Sequence, residues 1–272
     1  MSITPATLRK FVVLFYPPIQ DNKQSSQEIK LNLASSNTHT RQSKIVCDGI
    51  EYKLDWDSPL GAFQNPLRNI SLLIENRKYE QALKRIFFLT RTIVSNAVYE
   101  TINANVLVKS LLQASHVFQK RGDWENALRY ANFTCDLDPE SVPANISTAI
   151  ASRLSNQPYK ALQHSEEAVY ISPNDSRSRQ TLAISYRAIN LPAQALEHAE
   201  HALLLRPEEA SSYITLVNIL IDMKDFKYAR EILEEGLKKL NSYEFNKISH
   251  FIGKGLESLD ERVKQEFFSF AA

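Results

Sequence analysis

The sequence predicts a mainly α-helical repeat fold, an α-solenoid of helix hairpins with a small β-rich segment in front and a capping helix behind. Three observations carry that reading. Asp138-Pro139, Ser172-Pro173 and Arg206-Pro207 recur every 34 residues. Ala127, Ala161, Ala195 and Ala229 recur at the same interval without a slip, and a fixed period of this length marks stacked supersecondary units. The first sixty residues lack the period. They carry β-prone runs instead, with Asp48-Gly49 inside the run 44–56, the strongest short signal for a hairpin.

In chain order, residues 1–62 are the β-rich segment, with strands expected at about 9–16, 28–34 and 44–56. Ile29, Leu31 and Leu33 alternate with polar residues, the period of a half-buried strand. The polar stretches 17–27 and 35–43 have no period. A sheet this small needs the helices to lean on. Residues 63–107 read as a divergent copy of the repeat, because Arg77-Lys78-Tyr79-Glu80-Gln81-Ala82-Leu83 has the character of a turn and second helix. Ala82 precedes Ala127 by 45 residues, 11 more than the period. Eleven residues make about three helical turns, so one elongated second helix is expected from Glu80 to about Asn96. Regular copies follow at 108–141, 142–175, 176–209 and 210–241. Phe245, Ile248, Ile252, Leu256, Leu259 and Val263 then stand at helical spacing. Residues 242–272 are therefore expected to cap the exposed last face, with a kink at 253–255.

Each regular copy has the pattern of two antiparallel helices. Apolar residues fall three, four and seven apart, as in Leu182, Tyr186 and Ile189. Position 8 is mostly small (Ser115, Ala149, Ala183, Val217), and so is position 27 (Thr134, Ala168, Ala202, Gly236). Small residues at fixed places mark where two helices cross closely. Turn residues separate the helices at Gly122-Asp123, Asn156-Gln157-Pro158, Asn190-Leu191-Pro192 and Lys224-Asp225. Proline at position 32 lacks an N–H and ends the second helix; the fourth copy has Asn241 there.

Leu182-Ala183, Tyr186, Ala195, Ala202 and Pro207 together resemble the tetratricopeptide repeat (TPR), over about 108–241. The resemblance implies a right-handed α-solenoid. It departs from the family at position 4, where Asn145 and Arg179 replace tryptophan, which is expected to weaken single repeats.

Composition excludes several classes of function. With 32 basic and 31 acidic residues the net charge is +1, unlike the basic stripe a nucleic-acid binder needs. Two cysteines, Cys47 and Cys135, fit a reducing compartment, and no run is long enough to span a membrane. The expectation is a cytoplasmic protein. Six glycines include no phosphate-binding loop. His198 and His201, with His164 one repeat earlier, could face a metal, but the plainer reading is a solvated helix face. No cofactor, metal or catalytic residue is expected, and the protein is read as non-enzymatic.

The resemblance also implies a partner-binding groove, lined by positions 2, 5, 9, 12 and 13 of each first helix. These include Lys109, Leu112, His116 and Gln119, then Pro143, Ile146, Ile150 and Arg153. The later copies give Arg177, Gln180, Ile184 and Arg187, then Ile214 and Asn218. An apolar strip flanked by cations suits an apolar segment with acidic flanks. The alternative is a strip covered by the chain's own N- or C-terminal segment. Chaperone-binding members of the family share a lysine–asparagine clamp for a terminal carboxylate; Leu112 and His116 stand there instead. The expected function is an interaction scaffold or adaptor within a hetero-oligomeric assembly, holding a helical or extended segment of a protein partner. A co-chaperone and a regulatory or enzyme-associated subunit are the alternatives.

Overall fold

A computed structural model of the chain describes residues 12–14, 29–33, 41, 44–47, 50–95 and 101–240. The chain forms two compact units, Met1–Ser155 and Asn156–Ala272. The expected capping helix at 242–272 and the Asp48-Gly49 turn lie outside the described residues.

The first unit opens with a sheet. Strands β1 (Val12–Leu14), β2 (Ile29–Leu33), β3 (Lys44–Cys47) and β4 (Ile50–Asp55) pair antiparallel in sequence order. Cys47 stands opposite Ile50 in the β3–β4 pair. The sequence reading did not anticipate a fifth strand, β5 (Thr101–Asn103), which pairs parallel to β4 with Ile102 opposite Leu54. Parallel neighbours need a long crossover, and helices α1 (Gln64–Glu75) and α2 (Tyr79–Ser95) provide it. Helices α3 (Ala104–Arg121), α4 (Trp124–Leu137) and α5 (Val142–Leu154) follow.

The elongated second helix stands nearly where it was expected, at Tyr79–Ser95, but it accounts for only part of the 11 additional residues. Helix α2 has 17 residues against 14 in α4, so helix elongation explains only a few. The others lie in the connection that carries β5, longer than the one between α4 and α5, and in an α3 that begins about one turn earlier relative to its alanine than α5 does. A three-residue strand has too little sequence to show a period, and its partner lies on β4.

Sheet and helices share one core: Ile45, Leu54 and Ile102 pack with Ile70, Leu83, Ile86, Leu107 and Leu111, all at most 4% exposed. Polar ties reinforce it. Asn103 caps α3 by accepting from the Val106 N–H, and its Nδ2 donates to the Pro59 carbonyl at 3.0 Å. Asn105 Nδ2 donates to the Trp56 carbonyl at 2.7 Å. Arg41 donates to Asp138 at the end of α4 (3.0 Å) and lies 5.1 Å from the Trp56 ring centre.

The second unit contains α6 (Pro158–Ile171), α7 (Ser176–Ala188), α8 (Pro192–Leu205), α9 (Ala210–Asp222) and α10 (Phe226–Lys239). Its core joins Ala183, Ala195 and Ala199 to Tyr213, Leu216, Val217 and Leu220.

The period now has physical causes. All four repeat alanines are fully buried. In the fourth copy a methyl added at Gly236 would lie 3.1 Å from the Tyr213 ring, a tight approach at position 27. Five residues before each repeat alanine the backbone turns left-handed, at Arg77, Gly122, Asn156, Asn190 and Lys224. Arg77 thus sets the α1–α2 hairpin in the register of the regular copies. The following N–H closes the same loop in four of them: Lys78 to Leu73, Asp123 to Phe118, Leu191 to Tyr186 and Asp225 to Leu220.

Position 4 has a cause as well. Asn145 donates to the Pro139 carbonyl (2.8 Å), Arg179 to Pro173 (2.8 Å) and Tyr213 to Pro207 (3.0 Å). Three unlike side chains each satisfy the carbonyl of the helix-ending proline six residues before. The residues at this position therefore have a structural task, fastening the loop between repeats.

Candidate functional site

The first helices carry the candidate groove residues, and each unit holds its own set. In the first unit, α3 meets α5. Ser115 Oγ lies 3.0 Å from Ser147 Oγ, and Gln119 Nε2 donates to Ser147 Oγ at 3.1 Å. Gln119 therefore fastens one first helix to the next. Lys109 and His116 are exposed, whereas Leu112, Ile150 and Arg153 are half-buried. Ile146 departs from the expected strip: it is 3% exposed and belongs to the interior.

In the second unit, α7 meets α9. Gln180 is buried and donates to Ser212 Oγ at 2.9 Å, so it too is an interhelix tie and not a lining residue. Arg187 grips Asp222 with two nitrogens, one at 3.1 Å. Asp222 sits one repeat on, at the place equivalent to Ala188, and takes the charge assigned to a partner. Arg177 is exposed, while Ile184, Ile214 and Asn218 are half-buried. With Ile146 and Gln180 buried and Arg187 paired, the expected face keeps Lys109, Leu112, His116, Ile150 and Arg153 in one unit and Arg177, Ile184, Ile214 and Asn218 in the other.

A polar cluster that the sequence reading missed joins α7 to the second helices α6 and α8. The Tyr186 ring stacks on His198 with centres 5.6 Å apart, and its hydroxyl donates to Glu166 at 3.1 Å. Arg179, already bound to Pro173, lies 3.2 Å from His198 Nδ1. Burial, then the neighbouring Arg179 charge, holds the His198 pKa below the ordinary imidazole value. His198 is thus half-buried and stacked, not on a solvated face. Tyr228 donates to Glu200 in the same way, at 3.0 Å. The usable signal was glutamate at position 25 in three successive copies, Glu166, Glu200 and Glu234.

Among the described residues no group of three or more His, Cys, Asp or Glu could hold a metal, and no helix is long and apolar enough to cross a membrane. Cys135 is buried, its Sγ 3.1 Å from Thr148 Oγ1.

No protein-family model matches the sequence, and no curated protein does. Solved structures do. The thermophilic TPR protein TTC0263 of Thermus thermophilus superposes on 72% of this chain and 99% of its own, with a TM-score of 0.58 at 16% identity. Pseudomonas aeruginosa pilF covers 75% of this chain and 96% of its own, with a TM-score of 0.53 at 16% identity. MamA, residues 41 to the end, from Desulfovibrio magneticus RS-1 covers 66% and 96%, with a TM-score of 0.50 at 20% identity. Likeness at these identities is likeness of fold, and the chain has the tetratricopeptide-repeat fold.

Proposed function

We propose that the chain is a non-enzymatic interaction scaffold or adaptor, a cytoplasmic subunit of a larger assembly, which holds a helical or extended protein segment along its first helices. One observation carries the reading. Leu112, Ile150, Ile184 and Ile214 stay half-buried on first helices whose neighbouring small and aliphatic residues are closed. Partly exposed aliphatic side chains at recurring positions suit an apolar partner segment, and Lys109 and Arg177 favour acidic flanks. The co-chaperone alternative is disfavoured, because Leu112 and His116 supply no cation–amide pair for a terminal carboxylate.

Affinity purification from the native cell supplies the partner, and calorimetry then measures its binding segment. Ile150→Ala and Ile184→Ala should each weaken binding by about 1–2 kcal/mol with little salt dependence. Lys109→Glu with Arg177→Glu should slow association, and the effect should shrink as salt shortens the screening length. Unchanged binding by the isoleucine variants, with loss on changing exposed residues of the sheet, would move the working surface to the β segment.

A further inference from the structure

Two exposed second-helix faces remain, and neither serves the proposed first-helix site. On α2, Phe88 is 71% exposed. Lys84, Phe88 and Arg91 stand four and three residues apart, so they share one face, with Arg85 beside them. All three cationic residues are exposed, while the acidic Glu80 is taken up by Arg121 at 2.7 Å. That face is basic around an aromatic residue.

On α6 and α8 the chemistry is reversed. Tyr170 is 84% and Leu204 80% exposed, at equivalent positions in successive copies. Each follows a glutamate by four residues, Glu166 and Glu200, and those carboxylates are fixed by Tyr186 and Tyr228. Exposed Glu167 and Glu197 add charge. This face is acidic around apolar side chains, built twice at the repeat interval.

Large apolar residues left in solvent amid one sign of charge mark a contact surface. Here both complementary surfaces occur on one chain whose net charge of +1 gives copies little overall repulsion. We infer that the occupant is a second copy of this chain, the α2 face of one seated on the α6–α8 face of the next. The two patches differ, so the contact is heterologous and propagates head to tail.

Sedimentation velocity and light scattering on the full chain, over a concentration series at low and high salt, test this. Mass should rise with concentration, most steeply at low salt. Lys84→Glu with Arg85→Glu should weaken association about tenfold or more, and so should Glu167→Lys with Glu197→Lys. Phe88→Ser should weaken it as well, with less dependence on salt. Circular dichroism and melting temperature should be unchanged in all three. Mixing the two charge-reversed variants restores opposite charges across the contact, so mixed samples should associate where neither does alone. A wild type that stays monomeric throughout would overturn the proposal, even if its acidic face binds a basic segment of another protein. Association indifferent to both reversals, or a mixture that fails to recover, would overturn it too.

Discussion

The first unit and the α6–α8 part of the second bury different materials under the same hairpin design. In Met1–Ser155, α4 buries Tyr130, Phe133 and Leu137, and Tyr130 stacks on Phe118 with ring centres 5.4 Å apart. The sheet adds Ile45, Leu54 and Ile102. In Asn156–Ala272, α6 buries only Ala161, Ser165 and Ala168, and α8 buries three alanines and Leu203. Burying a large aliphatic side chain is worth about 1.5–3 kcal/mol, and a methyl group much less. The first unit is therefore held by core volume, and α6–α8 by close helix approach and polar ties. Regular spacing and large cores compete: residues small enough to repeat every 34 positions bring little apolar area with them.

The largest effects should expose this contrast. Ile102→Ala empties a fully buried site where sheet meets helices, at a cost of about 2–5 kcal/mol. The three-residue β5 is then measured as part of the core, and an unchanged melting temperature would show it to be peripheral. In the second unit the damaging change is enlargement. Ala195→Leu overfills a fully buried helix crossing, at about 1–3 kcal/mol.

Two tyrosines sharpen the comparison at smaller scale. Tyr130 Oη is buried without a hydrogen-bond partner, and burial pushes its pKa far upward. Removing an unsatisfied hydroxyl relieves a desolvation cost, so Tyr130→Phe should leave chemical denaturation midpoints unchanged or raised. Tyr213→Phe deletes the bond to Pro207 and should lower the midpoint by about 0.5–1.5 kcal/mol of stability. Equal losses at both positions would contradict the assignment of loop fastening to position 4.

The smallest effect concerns pH. His198 has a folded pKa below its unfolded one, so the unfolded chain binds more protons near neutrality. Its contribution to stability is complete above the ordinary imidazole value of about 6.5 and is lost as pH falls from there through the lower folded value. Wild type should therefore lose more stability than His198→Gln between about pH 7.5 and pH 5.5. Equal losses would remove His198 from the account of the Tyr186 cluster.

The repeat was legible because close helix crossings restrict residue type: four alanines and three prolines announce the period without knowledge of their neighbours. The crossover to β5 was not, since Thr101–Asn103 takes its meaning from a partner strand far earlier in the chain. The candidate groove was legible as positions but not as states. Nothing local distinguishes Ile146, which closes into the interior, from Ile150, which stays half open. Arg187 read as a cation for a partner until Asp222, a repeat away, was seen to hold it.

Native-state hydrogen exchange tests most directly the claim that core volume separates the first unit from α6–α8. Amides of α3 and α4 should open only at the highest free energies, and those of α6 and α8 at clearly lower ones. Protection in α6 and α8 equal to or above that of α3 and α4 would contradict it.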